Sequence, residues 1–197
     1  MRTAKPKPSS YQLKITLLGI GPPIWRRIQV PSTLKLGHLH QAIQVVMGWT
    51  DSHLHEFEQD GECWGVPEHI EDDDVTDESR VPLGKVLRAE GDSMVYIYDF
   101  GDDWRHRVAL EKIVPLDAAP ATPVCLAGKR RSPPEDVGGP YGYQEFLEAI
   151  FDPSHAEFKY YRQWAGDPFH AEEFDVKTVN DILDRMRWPV KKSGSPA

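Results

Sequence analysis

"SMVYIYDFGDDWRHRVALEKIV", residues 93–114, is the stretch that decides the fold of this 197-residue chain. Valine, isoleucine and aromatic residues fill both of its halves, which is typical of β-strands. Between the halves lie three aspartates and a glycine, the residue types that form tight turns. The stretch therefore predicts two antiparallel strands joined by a polar hairpin tip.

The register of this hairpin depends on the length of its tip. A loop of two or four residues places Asp99 opposite His106, whereas a loop of three residues places His106 opposite Tyr98. We prefer the first register, because Val95 and Ile97 then align with apolar residues of the second strand. An aspartate that binds one imidazole nitrogen leaves the other free for a metal or for proton transfer. The alternative is a structural pair that closes the end of the sheet.

Further strands and one helix precede this hairpin. Residues 11–19 and 24–30 alternate apolar and polar side chains around a Gly-Pro break, which predicts an antiparallel pair. Residues 53–59 and a short strand after the Asp-Gly turn at 60–61 form another pair. Between the two pairs, apolar residues recur at helical spacing over 36–47. A helix with so much apolar surface is expected to be covered by the sheet and its neighbours.

The last quarter of the chain is helical in pattern. Residues 143–150, 152–166 and 175–186 show helical spacing or helix start and stop signals. Strands first and helices afterwards is the pattern of an α+β fold. We therefore predict a single domain over residues 10–188, with an N-terminal antiparallel β-sheet, one packed helix and a C-terminal group of about three helices. Residues 1–9 and 189–197 are predicted to be flexible tails.

The charge of the chain is unevenly distributed. The formal net charge is −8, but "EDDDVTDE", residues 71–78, holds most of the excess acid, so we predict an acidic mobile loop over 70–80. The nearly neutral remainder has no general attraction for nucleic acid. No apolar run is long enough to cross a membrane, and the N-terminus lacks the apolar segment of a secretory signal. We expect a cytoplasmic protein in which Cys63 and Cys125 are free thiols.

Two histidines occur at strand spacing in "HLH", residues 53–55. On a strand, His53 and His55 point to the same face, where they can share a metal ion such as zinc. His106 or Asp99 would supply the third ligand. The alternative is that these are structural histidines at the edge of a sheet.

A third feature lies in a loop predicted over residues 115–140, which is rich in proline and glycine and lacks hydrophobic periodicity. Glu135 and Asp136 lie just before a helix start, where acids favour the helix dipole. As a site, these carboxylates would bind a cation or transfer protons, and His106 is a further candidate for proton transfer. A loop of this length is more often functional than a spacer. The candidate binding surface comprises Trp104, Lys129, Arg130, Arg131, Gly138 and Gly139.

Five stretches carry a family resemblance: "YQLKITLLGIGPPIWRRIQV", "LGHLHQAIQVVMGWTDSHLHEFE", "YDFGDDWRHRVALEKI", "CLAGKRRSPPEDVGGPYGYQEFL" and "DPSHAEFKYYRQWAGDPFHAEEFD". Together they resemble the plasmid pRiA4b ORF-3-like family, in the same order and over about residues 10–185. The resemblance implies one α+β domain in a bacterial or archaeal protein of the mobile-element passenger type, without an assigned activity. The polar residues at matching motif positions include His40, His53, His55, Asp99, His106, Glu135 and Asp136.

Three functions follow from these patterns, in order of preference. The first is a non-enzymatic binding or interaction domain, associated with plasmids or mobile elements, that takes a protein partner. The second is a metal-dependent hydrolase or nuclease with ligands among His53, His55, Asp99 and His106. The third is a DNA-associated accessory protein, which the charge balance disfavours.

Overall fold

The computed structural model describes residues 9–67, 75–115, 121–166 and 168–189. Eight strands form one sheet in the order β5-β4-β3-β6-β7-β1-β2-β8, and five helices accompany it. The strands are β1 Ser9–Leu17, β2 Trp25–Pro31, β3 His55–Gln59, β4 Glu62–Gly65, β5 Thr76–Asp77, β6 Ser93–Tyr98, β7 Trp104–Pro115 and β8 Val124–Lys129. The helices are α1 Leu36–Met47, α2 Leu83–Val86, α3 Gly139–Phe151, α4 Phe158–Ala165 and α5 Val176–Leu183. The predicted α+β fold, with its N-terminal sheet and three C-terminal helices, is confirmed.

The core lies between one face of this sheet and the helices. Alternation along β1 and β2 buries Leu13, Ile15 and Ile28 on that face, because successive strand residues point to opposite sides. The apolar positions of α1 pack against them, as their helical spacing predicted. The helix ends at Gly48, whose φ of 77° is the left-handed conformation that glycine adopts readily at a helix C-terminus.

The register of the β6–β7 hairpin differs from both predicted pairings. His106 pairs with Tyr96, and Tyr98 pairs with Trp104, so the tip has five residues, 99–103. The cause is the turn chemistry of Asp99, which takes a left-handed φ of 58°. Its Oδ1 accepts hydrogen bonds from the backbone N–H groups of Gly101 and Asp102, at 3.0 and 3.3 Å. An aspartate that turns its own backbone in this way ends the strand one residue before the expected position.

Two predicted loops contain regular structure. Within 115–140, residues Val124–Lys129 form β8, which pairs with β2. Within 70–80, Thr76–Asp77 form β5 and Glu78–Arg80 form a 3-10 turn, while residues 68–74 lie outside the described part of the chain. Pairing with β2 and with β4 places these two short segments in the sheet, although neither shows a strand period of its own.

The C-terminal helices close one edge of the sheet. Asn180 on α5 donates from Nδ2 to the carbonyl oxygen of Cys125 at 2.9 Å, and its Oδ1 accepts from the Cys125 N–H at 2.8 Å. One side-chain amide thus takes the place of a neighbouring strand on β8. Among the helices of the described ranges, none is long and apolar enough to cross a bilayer.

Candidate metal site at three converging loops

Three loops bring a histidine and two aspartates together at one end of the sheet. His53 precedes β3 and Asp99 follows β6, and these strands are antiparallel neighbours, with His55 paired to Tyr98. Asp136 comes from the loop between β8 and α3. One ligand atom from each of the three side chains lies within 4.8 Å of the others. The sequence predicted two of them, His53 and Asp99, as metal ligands, and the third as a candidate acid–base group.

The imidazole of His53 faces a carboxylate on each side. Its Nε2 lies 3.1 Å from Oδ1 of Asp136, and its Nδ1 lies 3.6 Å from Oδ2 of Asp99. Neither approach is a hydrogen bond, because the first is poorly aligned and the second is too long. Nε2 is nevertheless shielded from solvent, while the Asp136 side chain is 72% exposed. The site is therefore a surface site with one buried nitrogen that lacks an aligned partner in the described structure.

Backbone contacts hold the Asp99 carboxylate in place. The Asp99 N–H donates to the carbonyl oxygen of Leu54 at 2.8 Å, which joins the hairpin tip to the loop that carries His53. Because Oδ1 is engaged by the turn, Oδ2 is the atom that faces the imidazole. The turn thus orients one carboxylate oxygen for a ligand.

The loop that carries Asp136 is fastened to the same hairpin tip. Gly138 donates its N–H to Oδ2 of Asp102 at 3.2 Å. Gly139 has a φ of 68°, and a Cβ there would lie 2.5 Å from the Asp102 carbonyl oxygen. Only glycine allows this close approach. Earlier in the same loop, the carbonyl oxygen of Pro133 accepts a hydrogen bond from Trp49 Nε1 at 3.0 Å.

Glu135 joins the remaining parts of the site. The Tyr98 hydroxyl and the Thr50 hydroxyl donate to different oxygens of its carboxylate, and the Thr50 N–H donates to Oε1 at 3.2 Å. Ser52 donates its N–H to the Tyr98 hydroxyl oxygen at 3.0 Å. Burial alone would raise the pKa of Glu135, but the hydrogen bonds from Thr50 and Tyr98 outweigh it, so that pKa is lowered. Burial and the bond to Glu135 raise the pKa of Tyr98.

A second histidine group, His40, Asp51 and His55, shares the 51–55 segment with the first. The imidazole rings of His40 and His55 are stacked, with centroids 3.4 Å apart and planes within 5°. His40 Nε2 lies 2.8 Å from Oδ1 of Asp51, and His55 Nε2 lies 3.0 Å from Oε2 of Glu78. A metal ion binds at about 2.1 Å along the lone pair of an imidazole nitrogen, in the ring plane. Two parallel stacked rings direct their lone pairs along separate lines, so they cannot share one ion.

The hydrogen bonds of His40 form a closed circuit that also argues against metal binding. The Asp51 N–H donates to Gln44 Oε1 at 3.0 Å, so Gln44 Nε2 must donate to the Tyr96 hydroxyl oxygen, also at 3.0 Å. The Tyr96 hydroxyl then donates to His40 Nδ1 at 2.8 Å, and His40 Nε2 carries the proton that binds Asp51. Burial first, and His55 next, lower the pKa of His40 to about 4. The nitrogen that a metal would need is therefore occupied by a proton.

His106 and Trp104 belong to the core. Both are at most 1% exposed, and His106 contacts the rings of Trp49 and Tyr96. Its Nδ1 lies 3.3 Å from the carbonyl oxygen of Tyr96, and burial lowers its pKa to about 4. The structure thus divides the proposed set of His53, His55, Asp99 and His106 among three environments. His55 joins the stacked pair, His106 joins the core, and the other two meet Asp136.

The basic cluster is largely occupied by internal contacts. Arg130 is buried, with Nε 2.7 Å from Glu172 and Nη1 donating to the carbonyl oxygen of Pro22 at 2.6 Å. The guanidinium of Arg131 lies over the ring of Phe169, 4.8 Å from its centroid. Lys129 is exposed at the end of β8. The proposed binding surface is therefore not one continuous exposed face, since Trp104, Arg130 and Gly139 are buried.

Several residues of these networks were missed by the sequence analysis. Asp51 and Glu78 were not singled out, because one precedes β3 outside any strand and the other lies in the acidic run. Thr50 and Tyr98 act through hydroxyl groups, which leave no periodic signal. The one available signal was the spacing of Asp51, His53 and His55, which places acid and imidazole at alternate positions.

Comparison with known proteins agrees with this architecture. Residues 9–178 match the family described as plasmid pRiA4b ORF-3-like protein. An uncharacterised protein, y4hQ of Sinorhizobium fredii, is 41% identical over 187 residues, covering 93% of this chain and 96% of that protein. The crystal structure of MM3350, a protein of unknown function from Methanosarcina mazei Go1, is 43% identical with a TM-score of 0.79. That match covers 87% of this chain and 97% of the other.

Proposed function

We propose that this chain, which belongs to the plasmid pRiA4b ORF-3-like family, is a binding domain for a divalent metal ion held by His53, Asp99 and Asp136. The observation that supports this most is the shielded Nε2 of His53. It lies 3.1 Å from a carboxylate oxygen without the alignment of a hydrogen bond. Two ligands of a metal ion, each about 2.1 Å from it, lie at about this distance from each other.

The donor set indicates which ions would bind. One imidazole nitrogen and two carboxylate oxygens suit Zn²⁺ or Mn²⁺, whereas Ca²⁺ and Mg²⁺ prefer oxygen ligands alone. Three protein ligands would leave further coordination positions for water or for a group on a partner. The exposure of Asp136 puts those positions at the protein surface.

The alternative is that His53 lies between the two carboxylates only through polar contacts. It explains the short distances and needs no metal. The two interpretations differ in a measurable way, because polar contacts alone give no saturable binding of Zn²⁺ or Mn²⁺.

Binding is favoured over hydrolysis by the state of the neighbouring acid–base groups. Glu135 has hydrogen-bond donors on both carboxylate oxygens and a lowered pKa, so it is a poor proton donor at neutral pH. His106 is fully buried in the core. A carboxylate with a lowered pKa is also a weak general base, which favours binding over hydrolysis.

The test is metal binding by purified protein that has been stripped with a chelator. Isothermal titration with Zn²⁺ and with Mn²⁺ should give one ion per chain. Asp99→Asn and Asp136→Asn should each weaken the affinity at least about tenfold, because each removes a charged ligand. Asn retains the turn-forming oxygen of Asp99, so the fold should be preserved.

Asp103→Asn is the matched control, since Asp103 lies on the same hairpin tip and pairs with Arg105 instead. It makes the same change in charge and should leave the affinity for Zn²⁺ and Mn²⁺ within about twofold of the parent's. Absence of binding to the parent protein, or an equal loss in Asp103→Asn and Asp99→Asn, would refute the proposed site.

A further inference from the structure

A cleft of about 500 Å³, which Glu135 lines from the side of the metal site, lies between the end of α1, the 131–135 loop and the C-terminal helices. Its walls are mostly apolar and include Trp49, Pro134, Phe169, Phe174 and Ile182. A volume of this size, lined by aromatic side chains with a few polar groups, is typical of small-molecule sites. We propose that this cleft binds a small organic carboxylate with an aromatic or aliphatic body.

The first observation is a buried guanidinium without a carboxylate partner. Arg26 lines the cleft and is 1% exposed, yet among the described residues all of its hydrogen-bond partners are neutral. Nε donates to the carbonyl oxygen of Val46, Nη1 to those of Trp25 and Lys129, and Nη2 to the hydroxyl of Ser132. These bonds use four of its five N–H groups. Burial lowers the pKa of Arg26 to about 10, so the group remains a cation at neutral pH.

The second observation is a second guanidinium on the same cleft. Arg131 is exposed and lies over the ring of Phe169, while the guanidinium of Arg26 lies 3.9 Å from the centroid of Phe174. A ring over one face of a guanidinium does not block its N–H groups, so the edge of Arg131 and the one remaining N–H of Arg26 can donate to a ligand. A carboxylate is the acceptor that matches such an edge.

Three acids also line the cleft, and they limit which carboxylates would fit. Glu135 and Asp175 each have hydrogen-bond donors on both oxygens, from Thr50 and Tyr98 in one case and from Lys177 and Thr178 in the other. Glu173 is exposed. The arginine N–H groups are therefore the charged donors with remaining capacity, and the acids disfavour ligands with several negative charges.

The structural alternative is that the arginine–phenylalanine contacts only fasten the 168–175 segment to the sheet. In that case the cleft has no preference for carboxylates. The two interpretations can be separated with phenylacetate, its neutral isostere phenylacetamide and the cation phenethylamine, because these probes share an aromatic body and differ in charge.

The probes would be titrated by ligand-observed NMR up to millimolar concentration. Phenylacetate should bind about tenfold more tightly than phenylacetamide, the ratio expected for one charge-assisted hydrogen bond. Arg131→Gln should remove most of this preference, whereas Arg88→Gln, a matched change on an exposed arginine elsewhere, should leave it unchanged. Ile182→Trp, which places bulk at the rim, should weaken all probes and provides a test should Arg131→Gln fold poorly.

Three results would overturn the proposal: no binding of phenylacetate, equal or tighter binding of the amide or the amine, or an unchanged preference in Arg131→Gln. The same titration in the Asp136→Asn variant should give the parent affinity. This result keeps the cleft independent of the metal site, so that failure of one proposal leaves the other intact.

Discussion

Acid should destabilise the fold through His106, by an amount that the structure allows us to estimate. The ordinary histidine pKa of 6.5 applies in the unfolded chain, and burial lowers it to about 4 in the folded protein. Between these values the unfolded state binds more protons, so stability falls as the pH falls. At about pH 7.5 and above, neither state is appreciably protonated and the effect is nearly absent.

The magnitude follows from these two pKa values. At about pH 4.5 the unfolded histidine is almost fully protonated, while about a quarter of the folded molecules carry the proton. The difference in proton binding between about pH 7.5 and 4.5 integrates to about 2.5 kcal/mol of lost stability from His106 alone. A buried imidazole without an acidic partner in the described structure cannot recover this energy through an ion pair.

The assay is urea unfolding of the parent protein and of His106→Phe at both pH values. Phe retains the ring contacts with Trp49 and Tyr96 and loses one long hydrogen bond, so at about pH 7.5 it should cost about 1 kcal/mol. When the pH is lowered to about 4.5, His106→Phe should lose about 2.5 kcal/mol less stability than the parent, because it lacks the imidazole while its carboxylates titrate as they do in the parent. Equal losses in both proteins would refute the reasoning, and His170→Phe, at an exposed histidine, should behave like the parent.

Three further predictions concern contacts that hold the loops together and the contact that covers the edge of the sheet. Tyr98→Phe removes the hydroxyl between Ser52 and Glu135 and should weaken Zn²⁺ binding about fivefold in calorimetric titrations, whereas Tyr160→Phe at an exposed tyrosine should not. In urea unfolding, Gly139→Ala should destabilise the protein more than Gly91→Ala, because both glycines have a positive φ but only a Cβ at position 139 would collide with the Asp102 carbonyl oxygen. Equal losses of stability would contradict this steric argument. Asn180→Leu removes the two hydrogen bonds that Asn180 makes to the Cys125 backbone, so it should cost about 2 kcal/mol of stability and promote concentration-dependent association in size-exclusion chromatography. A variant that stays monomeric with unchanged stability would show that α5 does not protect the edge of the sheet.

The sequence predicted the fold class because strand alternation and helical spacing are local signals. It failed on the hairpin register, which the side chain of Asp99 sets by hydrogen bonding to its own turn. It also placed His53 and His55 on one face, which holds only within a strand. The strand begins at His55, and the left-handed φ of 59° at Asp51 shows that the preceding segment has a different backbone. The alternation of strand side chains therefore starts at His55 and does not extend back to His53.

The convergence of His53, Asp99 and Asp136 was beyond the reach of sequence patterns for a topological reason. The loop before β3 and the loop after β6 meet only because these strands are antiparallel neighbours. The third loop reaches them through the close approach of Gly139 to Asp102. Neither contact has a periodic signature, although each of the three stretches stood out by composition.

The two histidine groups show why composition alone does not identify a metal site. Both contain imidazole and carboxylate groups within 4.8 Å, and both use residues of the 51–55 loop. In the first, a circuit of hydrogen bonds through Gln44 and Tyr96 already assigns a proton to His40, and stacking turns the lone pairs of its two rings along separate lines. In the second, the shielded Nε2 of His53 lies beside a carboxylate oxygen of Asp136 without an aligned hydrogen bond, and Asp99 lies beside Nδ1. A shielded nitrogen without an aligned partner, close to two carboxylates, is what makes His53, Asp99 and Asp136 the metal site to test.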